Sequence, residues 1–182
     1  FQQRELVRAI DVFVELERLD NLDLFFRSAG AAMDDPAELA LLAAKAESLG
    51  RHQVAVQIGV QASNRGVDVG NLPFPVAGIP ELSQPLDGEL AAVYAIARQE
   101  TVFNATAVSY ADARGLLQLL PGTAREVARS LGLPYEEERL LSDPAYNALL
   151  GGTHFARMVA DYRGSYVLAF VAYNAGPGRV TD

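Results

Sequence analysis

The sequence predicts a mainly all-α chain, with room for one very small β element, in which a run of helices precedes a second helical domain. Three observations carry this. Apolar residues recur at three- and four-residue spacing along most of the chain, helix-starting residues stand just ahead of those runs, and a Pro/Gly-rich stretch interrupts the pattern near the middle. With 182 residues and 50% hydrophobic content, the chain can bury one substantial core and a smaller second one without crosslinks or metals.

The elements follow in order. Leu6, Ile10, Phe13, Val14 and Leu16 keep roughly helical spacing, and Asn21 restarts the pattern through Leu24, Phe25 and Phe26. A third helix starts after Asp35-Pro36, where Asp can cap and Pro suits the first turn, and it carries Leu39, Leu42, Ala43 and Ala46 to a stop near Gly50. A fourth covers about 51–64, rich in Val54, Val56, Ile58 and Val60. Successive helix pairs of this kind fit the tail of a helical solenoid, although no fixed repeat registers. Residues 67–86 then turn to Gly, Pro and short apolar runs, and their prolines forbid a continuous helix. This divides the chain into a helical domain 1–66, a connector 67–86 and a second domain 87–182.

In that second domain, residues 87–101 read as a helix and 110–121 as compact and irregular. Thr123 and Glu126 have capping-box spacing, which predicts a helix starting at Thr123. Ser142-Asp143-Pro144 opens a long helix that ends near Arg163-Gly164. Ser165 can cap the last one, with Leu168, Val171 and Ala172 on its buried side and Gly176-Pro177 ending it.

Charge and composition narrow the function classes. Fifteen basic against 23 acidic residues give a net charge of -8, which argues against nucleic acid and against anionic membrane surfaces as partners. The absence of Cys excludes disulfides, thiol nucleophiles and Cys-rich zinc sites. No stretch approaches the roughly 20 apolar residues of a membrane span, and the start FQQRELVRAI lacks the features of a signal peptide, so the chain reads as a soluble, mature or trimmed fragment. His52 and His154 are too isolated for a metal site and read as structural; no cofactor is expected.

One residue stands out chemically. Leu90, Val93, Ala97 and Glu100 are spaced three, four and three apart, so a carboxyl group closes an apolar helical stripe. Desolvation there raises a carboxyl pKa toward the range a general acid needs, whereas a Glu near a helix end pointing into water would do nothing of the kind.

Four ordered blocks choose between these readings. A-R-Q-E-T-V-F-N from Ala97 with Ser109 after it, A-x-G-L-L-Q-L-L-P-G-T-A from Ala113, D-P-x-x-N from Asp143 and A-Y-N-A-G-P from Ala172 together resemble the soluble lytic murein transglycosylases. The resemblance covers residues 97–180, and the preceding helices with the F-P-V-A-G-I-P connector are similar to the linker domain of the large members. It implies a lysozyme-like catalytic fold, a site in the periplasm or cell envelope, and peptidoglycan glycan strands as partner. Cleavage is implied at the β-1,4 bond from N-acetylmuramic acid to N-acetylglucosamine, with Glu100 as the lone acid and then base and a 1,6-anhydro product.

The same resemblance assigns Ser109, Gln118, Tyr173 and Asn174 to substrate binding around that acid, while Phe103 and Tyr146 are candidates for stacking on sugar rings. Bland readings stand beside these: Ser109 as a turn serine, Asn174 as a cap on backbone groups at its helix end, and both aromatic rings as core. Departures from the family pattern are Asp112 in place of Gly, and Leu117 and Leu120 in place of Met. The family also continues with further helix past the last block, which implies a catalytic domain truncated at Asp182. Two other functions compete: a lysozyme-type hydrolase with Asp112 as the base, and a non-catalytic peptidoglycan-binding or scaffold module.

Overall fold

The computed structural model describes residues 1–75, 77–86 and 89–180. Nine α-helices and one 3-10 turn are present among them, and the β content is two isolated antiparallel bridges, Val108 with Arg114 and Arg114 with Leu119. The fold class is all-α, as the periodicity implies. The chain separates into two compact units, Phe1–Gly78 and a second beginning at Ile79, so the division falls inside the Pro/Gly-rich stretch.

The first unit contains α1 (Glu5–Glu15), α2 (Leu22–Ala31), α3 (Pro36–Ser48) and α4 (His52–Asn64), with α1 against α2, α2 against α4 and α3 against α4. Its core includes Val7, Ile10, Leu22, Phe26, Leu39, Leu42, Val54 and Ile58, with Val67, Val69 and Leu72 of the following segment packed on it. Asp35 accepts from the N–H groups of Ala37 and Glu38 and Pro36 occupies the first turn, so α3 starts where the sequence places it. Leu16 and Leu24, read as part of the apolar pattern, are exposed; Leu16 already lies at the end of α1, and Val7 and Leu22 supply the buried positions instead.

The second unit contains α5 (Leu90–Thr101), α6 (Pro121–Ser130), a single turn α7 (Arg139–Ser142), α8 (Pro144–Asp161) and α9 (Tyr166–Ala175). Asp87, the start expected for this helix, lies outside the described residues; α5 runs from Leu90, with Glu89 at its N-cap. The expected capping box also fails. Pro121, whose ring presets the helical φ, starts α6 two residues before Thr123, with Leu120 at the N-cap. Asp143 caps α8 through the Tyr146 N–H, and Ser165 caps α9 through that of Leu168. On α9, Ala169 and Ala172 are buried, whereas Leu168 and Val171 are exposed, contrary to the burial predicted for them.

Helix α8 organises this unit, packing against α5, α6, α7 and α9. Its buried face includes Ala148, Gly151, Gly152 and Thr153, and small residues let its neighbours approach closely. A Cβ on Gly151 would lie 2.4 Å from Leu117, so this glycine admits the irregular segment between α5 and α6 right onto the α8 backbone. No helix among the described residues is long and apolar enough to cross a membrane.

Candidate active site

Glu100 sits in the last turn of α5. The buried face of that helix is Ala92, Val93, Ile96 and Ala97, while Leu90, expected to head the stripe, is half exposed. Glu100 is four residues from Ile96 and three from Ala97, so its carboxyl lies at the edge of the apolar face, partly buried. Burial holds its pKa above the usual carboxylate range. The negative end of the α5 dipole is a second influence against ionisation.

The chain leaves α5 abruptly. Val102 and Phe103 both adopt left-handed φ, at 49° and 61°, and the Phe103 N–H returns to the Ala97 carbonyl. The Thr101 hydroxyl lies 3.0 Å from the Leu116 carbonyl and 3.1 Å from that of Ala97, either of which can take its proton. This ties the residue after Glu100 to the turn at 115–118.

That turn is held from within. Arg114 and Leu119 exchange both backbone hydrogen bonds, and the Gly115 N–H reaches the Ala107 carbonyl. Gln118, at φ 51°, donates its side-chain amide to the carbonyls of Ala107, 3.2 Å, and Gly115, 3.0 Å. Both contacts use its nitrogen, which leaves the amide oxygen as an acceptor.

Tyr173 comes to the same turn from α9. Its hydroxyl donates to the Leu117 carbonyl at 2.6 Å. Burial, and next the nearby Glu100 carboxylate, push the phenol pKa far up, so it stays protonated at ordinary pH. The His154 and Phe155 rings flank it at 5.8 and 6.1 Å. Burial holds the imidazole of His154 neutral at ordinary pH, in keeping with its structural reading.

The structure thus brings Gln118 and Tyr173 to one turn, with Glu100 near Tyr173. Ser109 belongs to the adjoining loop, where its Oγ accepts from the Ala113 N–H at 3.0 Å and its own N–H reaches the Ala113 carbonyl. Its hydroxyl proton is not used by that contact. Asn174 is exposed, and its side chain caps no backbone group among the described residues, contrary to the capping reading.

The stacking candidates are placed otherwise. Phe103 is 7% exposed and packs against Tyr94, and Tyr146 is 3% exposed with its hydroxyl on the Pro134 carbonyl and Arg139 over its ring. Neither ring has a free face for a sugar. Asp112 is exposed and paired with Arg114 at 2.9 Å.

Sequence reasoning used Asn147 only as the last residue of the D-P-x-x-N block and gave it no role at the site. This residue is wholly buried on α8 and bonds to three backbone groups of the turn and of α7. The signal was a lone amide in the apolar run A-Y-N-A-L-L.

Residues 81–182 match the Transglycosylase SLT domain family. The chain belongs to that family. Over 86 residues it is 48% identical to a Haemophilus influenzae protein, and over 87 residues 37% identical to the soluble lytic murein transglycosylase of Escherichia coli K12. Each match takes in 47% of this chain and 14% of the relative, so the chain spans a small part of those proteins. Among solved structures, lytic transglycosylase Slt of Pseudomonas aeruginosa, studied as an inactive glutamate-to-glutamine mutant, superposes with a TM-score of 0.71 at 28% identity, over 99% of this chain and 29% of that one. The all-α architecture is therefore that of the lytic transglycosylases, with the lysozyme-like catalytic fold the motifs imply.

Proposed function

We propose that the chain carries the catalytic domain of a lytic transglycosylase that cleaves the β-1,4 bond between N-acetylmuramic acid and N-acetylglucosamine in murein, within the bacterial cell envelope. The observation that carries this reading is Glu100: a carboxyl group whose pKa is raised by partial burial, at a helix end, near Tyr173.

Glu100 gives its proton to the bridging oxygen as the C1–O bond breaks. It then takes the proton of the muramoyl C6 hydroxyl while that oxygen bonds to C1. The product is a 1,6-anhydro sugar, no water enters, and the carboxyl group ends as it began. Because the attacking hydroxyl belongs to the same ring, the closure has the advantage of a high effective molarity, and one carboxyl group suffices where ordinary glycosidases use two.

The neighbours take supporting roles. The Tyr173 proton is committed to Leu117, which leaves its oxygen free to accept a hydrogen bond from a nearby donor such as protonated Glu100. Gln118 offers its amide oxygen, and Ser109 its hydroxyl proton, to sugar hydroxyls and the N-acetyl group. Asn174, exposed beside Tyr173, is available to the substrate as well. Asp112 is a poor base for hydrolysis, since it is exposed and its carboxylate is bound to Arg114. Residues 1–66 serve as a helical support ahead of the catalytic part.

Digestion of purified sacculi followed by mass spectrometry tests the reading. Anhydromuropeptides, one water lighter than hydrolytic products, are expected, and Glu100→Gln should lower their yield by at least about 100-fold. Products ending only in reducing muramic acid would make the chain a lysozyme-type hydrolase. Equal yields from wild type and variant would leave a non-catalytic binding module.

A further inference from the structure

The buried amide of Asn147 joins three segments: Leu117 in the turn at 115–118, Arg114 just ahead of it, and Leu140 on α7. Its Nδ2 donates one proton to the Arg114 carbonyl, 2.9 Å, and the other to the Leu140 carbonyl, 3.0 Å, while its Oδ1 accepts from the Leu117 N–H at 2.9 Å. The residue is 0% exposed, so water cannot replace any of these bonds. The space it fills is reserved by a second residue. A Cβ on Gly115 would come within 2.3 Å of Nδ2 and 2.1 Å of the Leu140 carbonyl oxygen, and the φ of +74° at Gly115 is itself a glycine conformation.

The two ends of Leu117 are then used differently. Its N–H is held by Asn147 on α8, and its carbonyl receives the hydroxyl of Tyr173 on α9. These groups flank one Cα, so fixing the first limits the swing of the second to what two backbone dihedrals allow. We propose that Asn147 is a positioning residue: its amide sets the Leu117 carbonyl, and through it the Tyr173 hydroxyl, at the place where the candidate site needs it. This rests on the transglycosylase reading for its catalytic meaning, but the coupling of Asn147 to Tyr173 stands on contacts within the fold.

Asn is the residue this arrangement requires. An Asp at 147 can still accept from Leu117, but its second oxygen would face the carbonyls of Arg114 and Leu140 and could bond only when protonated. Its pKa in the fold would rise above the unfolded value, so the correct arrangement would be present at low pH and lost as pH rises through the raised pKa.

A double-mutant cycle on the full 182-residue chain, with turnover of peptidoglycan fragments as the readout, tests the proposal. Asn147→Ala should lower kcat on the order of 100-fold with a smaller change in KM, and in a Tyr173→Phe background it should cost several-fold less. Equal losses in both backgrounds overturn the proposal. If the alanine variant fails to fold, Asn147→Asp carries the test: its turnover relative to wild type should climb as pH falls, and a ratio independent of pH overturns the proposal too. Fluorotyrosine labelling reads position without turnover. The fluorine resonance missing in Tyr173→Phe should move in Asn147→Asp, and an unmoved resonance counts against the coupling. Wild-type protein inactive on sacculi would remove the proposed function, while the fluorine shift would still decide whether Asn147 sets Tyr173.

Discussion

The two compact units solve different problems with the same kind of element. In the first, four helices meet through side chains that interdigitate around Phe26, Leu42 and Ile58, and their ends are managed by a cap at Asp35 and by half-buried ion pairs such as Arg51 with Asp23. In the second, packing tolerates irregular backbone. Of six non-glycine residues with positive φ among the described residues, Val102, Phe103, Asp112 and Gln118 lie within 102–118, each at a cost on the order of 1 kcal/mol. That strain is concentrated between the candidate acid and the turn that faces it. The contrast therefore lies in where each unit holds strained backbone, and in the second unit it lies around the candidate site.

Substitutions can break or sharpen this contrast. The largest effect is expected at Gly115, where Gly115→Val would drive a side chain into the Leu140 carbonyl at a left-handed φ; a loss of more than about 4 kcal/mol, with turnover abolished, should appear in thermal unfolding and activity assays. In the first unit, Leu42→Ala should cost about 2–5 kcal/mol in urea unfolding by opening a cavity, yet leave turnover per folded molecule unchanged. A matching loss of turnover would dissolve the distinction between the units.

Asp35→Ala should cost about 1 kcal/mol by unpairing the first turn of α3, again with no effect on turnover. The smallest effect sharpens the site side of the contrast. Because burial raises the pKa of Glu100 in the fold, its ionisation opposes folding as pH rises from the unfolded carboxylate value through the raised one. Glu100→Gln should therefore stabilise the protein at pH 7 by at most about 1 kcal/mol, given its partial exposure, and bring no gain at pH 3. A variant destabilised at pH 7 would show that Glu100 is held by favourable contacts and not merely desolvated.

What was legible depended on whether a signal was local. Asp35-Pro36, Asp143-Pro144 and Ser165 named helix starts because a cap acts within three residues. Thr123 and Glu126 misled because Pro121, equally local, starts the helix first. The burial of α9 was misjudged for a different reason: its helix is apolar nearly all round, so spacing alone cannot select the face, and α8 takes the one bearing Ala169 and Ala172.

The sequence by itself determined the helical class, the existence of two units and, through its ordered motifs, the family and the candidate acid Glu100. Periodicity, caps and motif order are written along the chain, so no folding is needed to read them. The tertiary structure alone decided that Tyr173 gives its proton to Leu117, that Phe103 and Tyr146 are core, and that Asn147 joins α8 to the turn. Those facts depend on which backbone groups arrive beside one another from residues 30 to 56 positions apart. Hydrogen bonding is decided by distances of a few tenths of an ångström, which one-dimensional spacing does not encode.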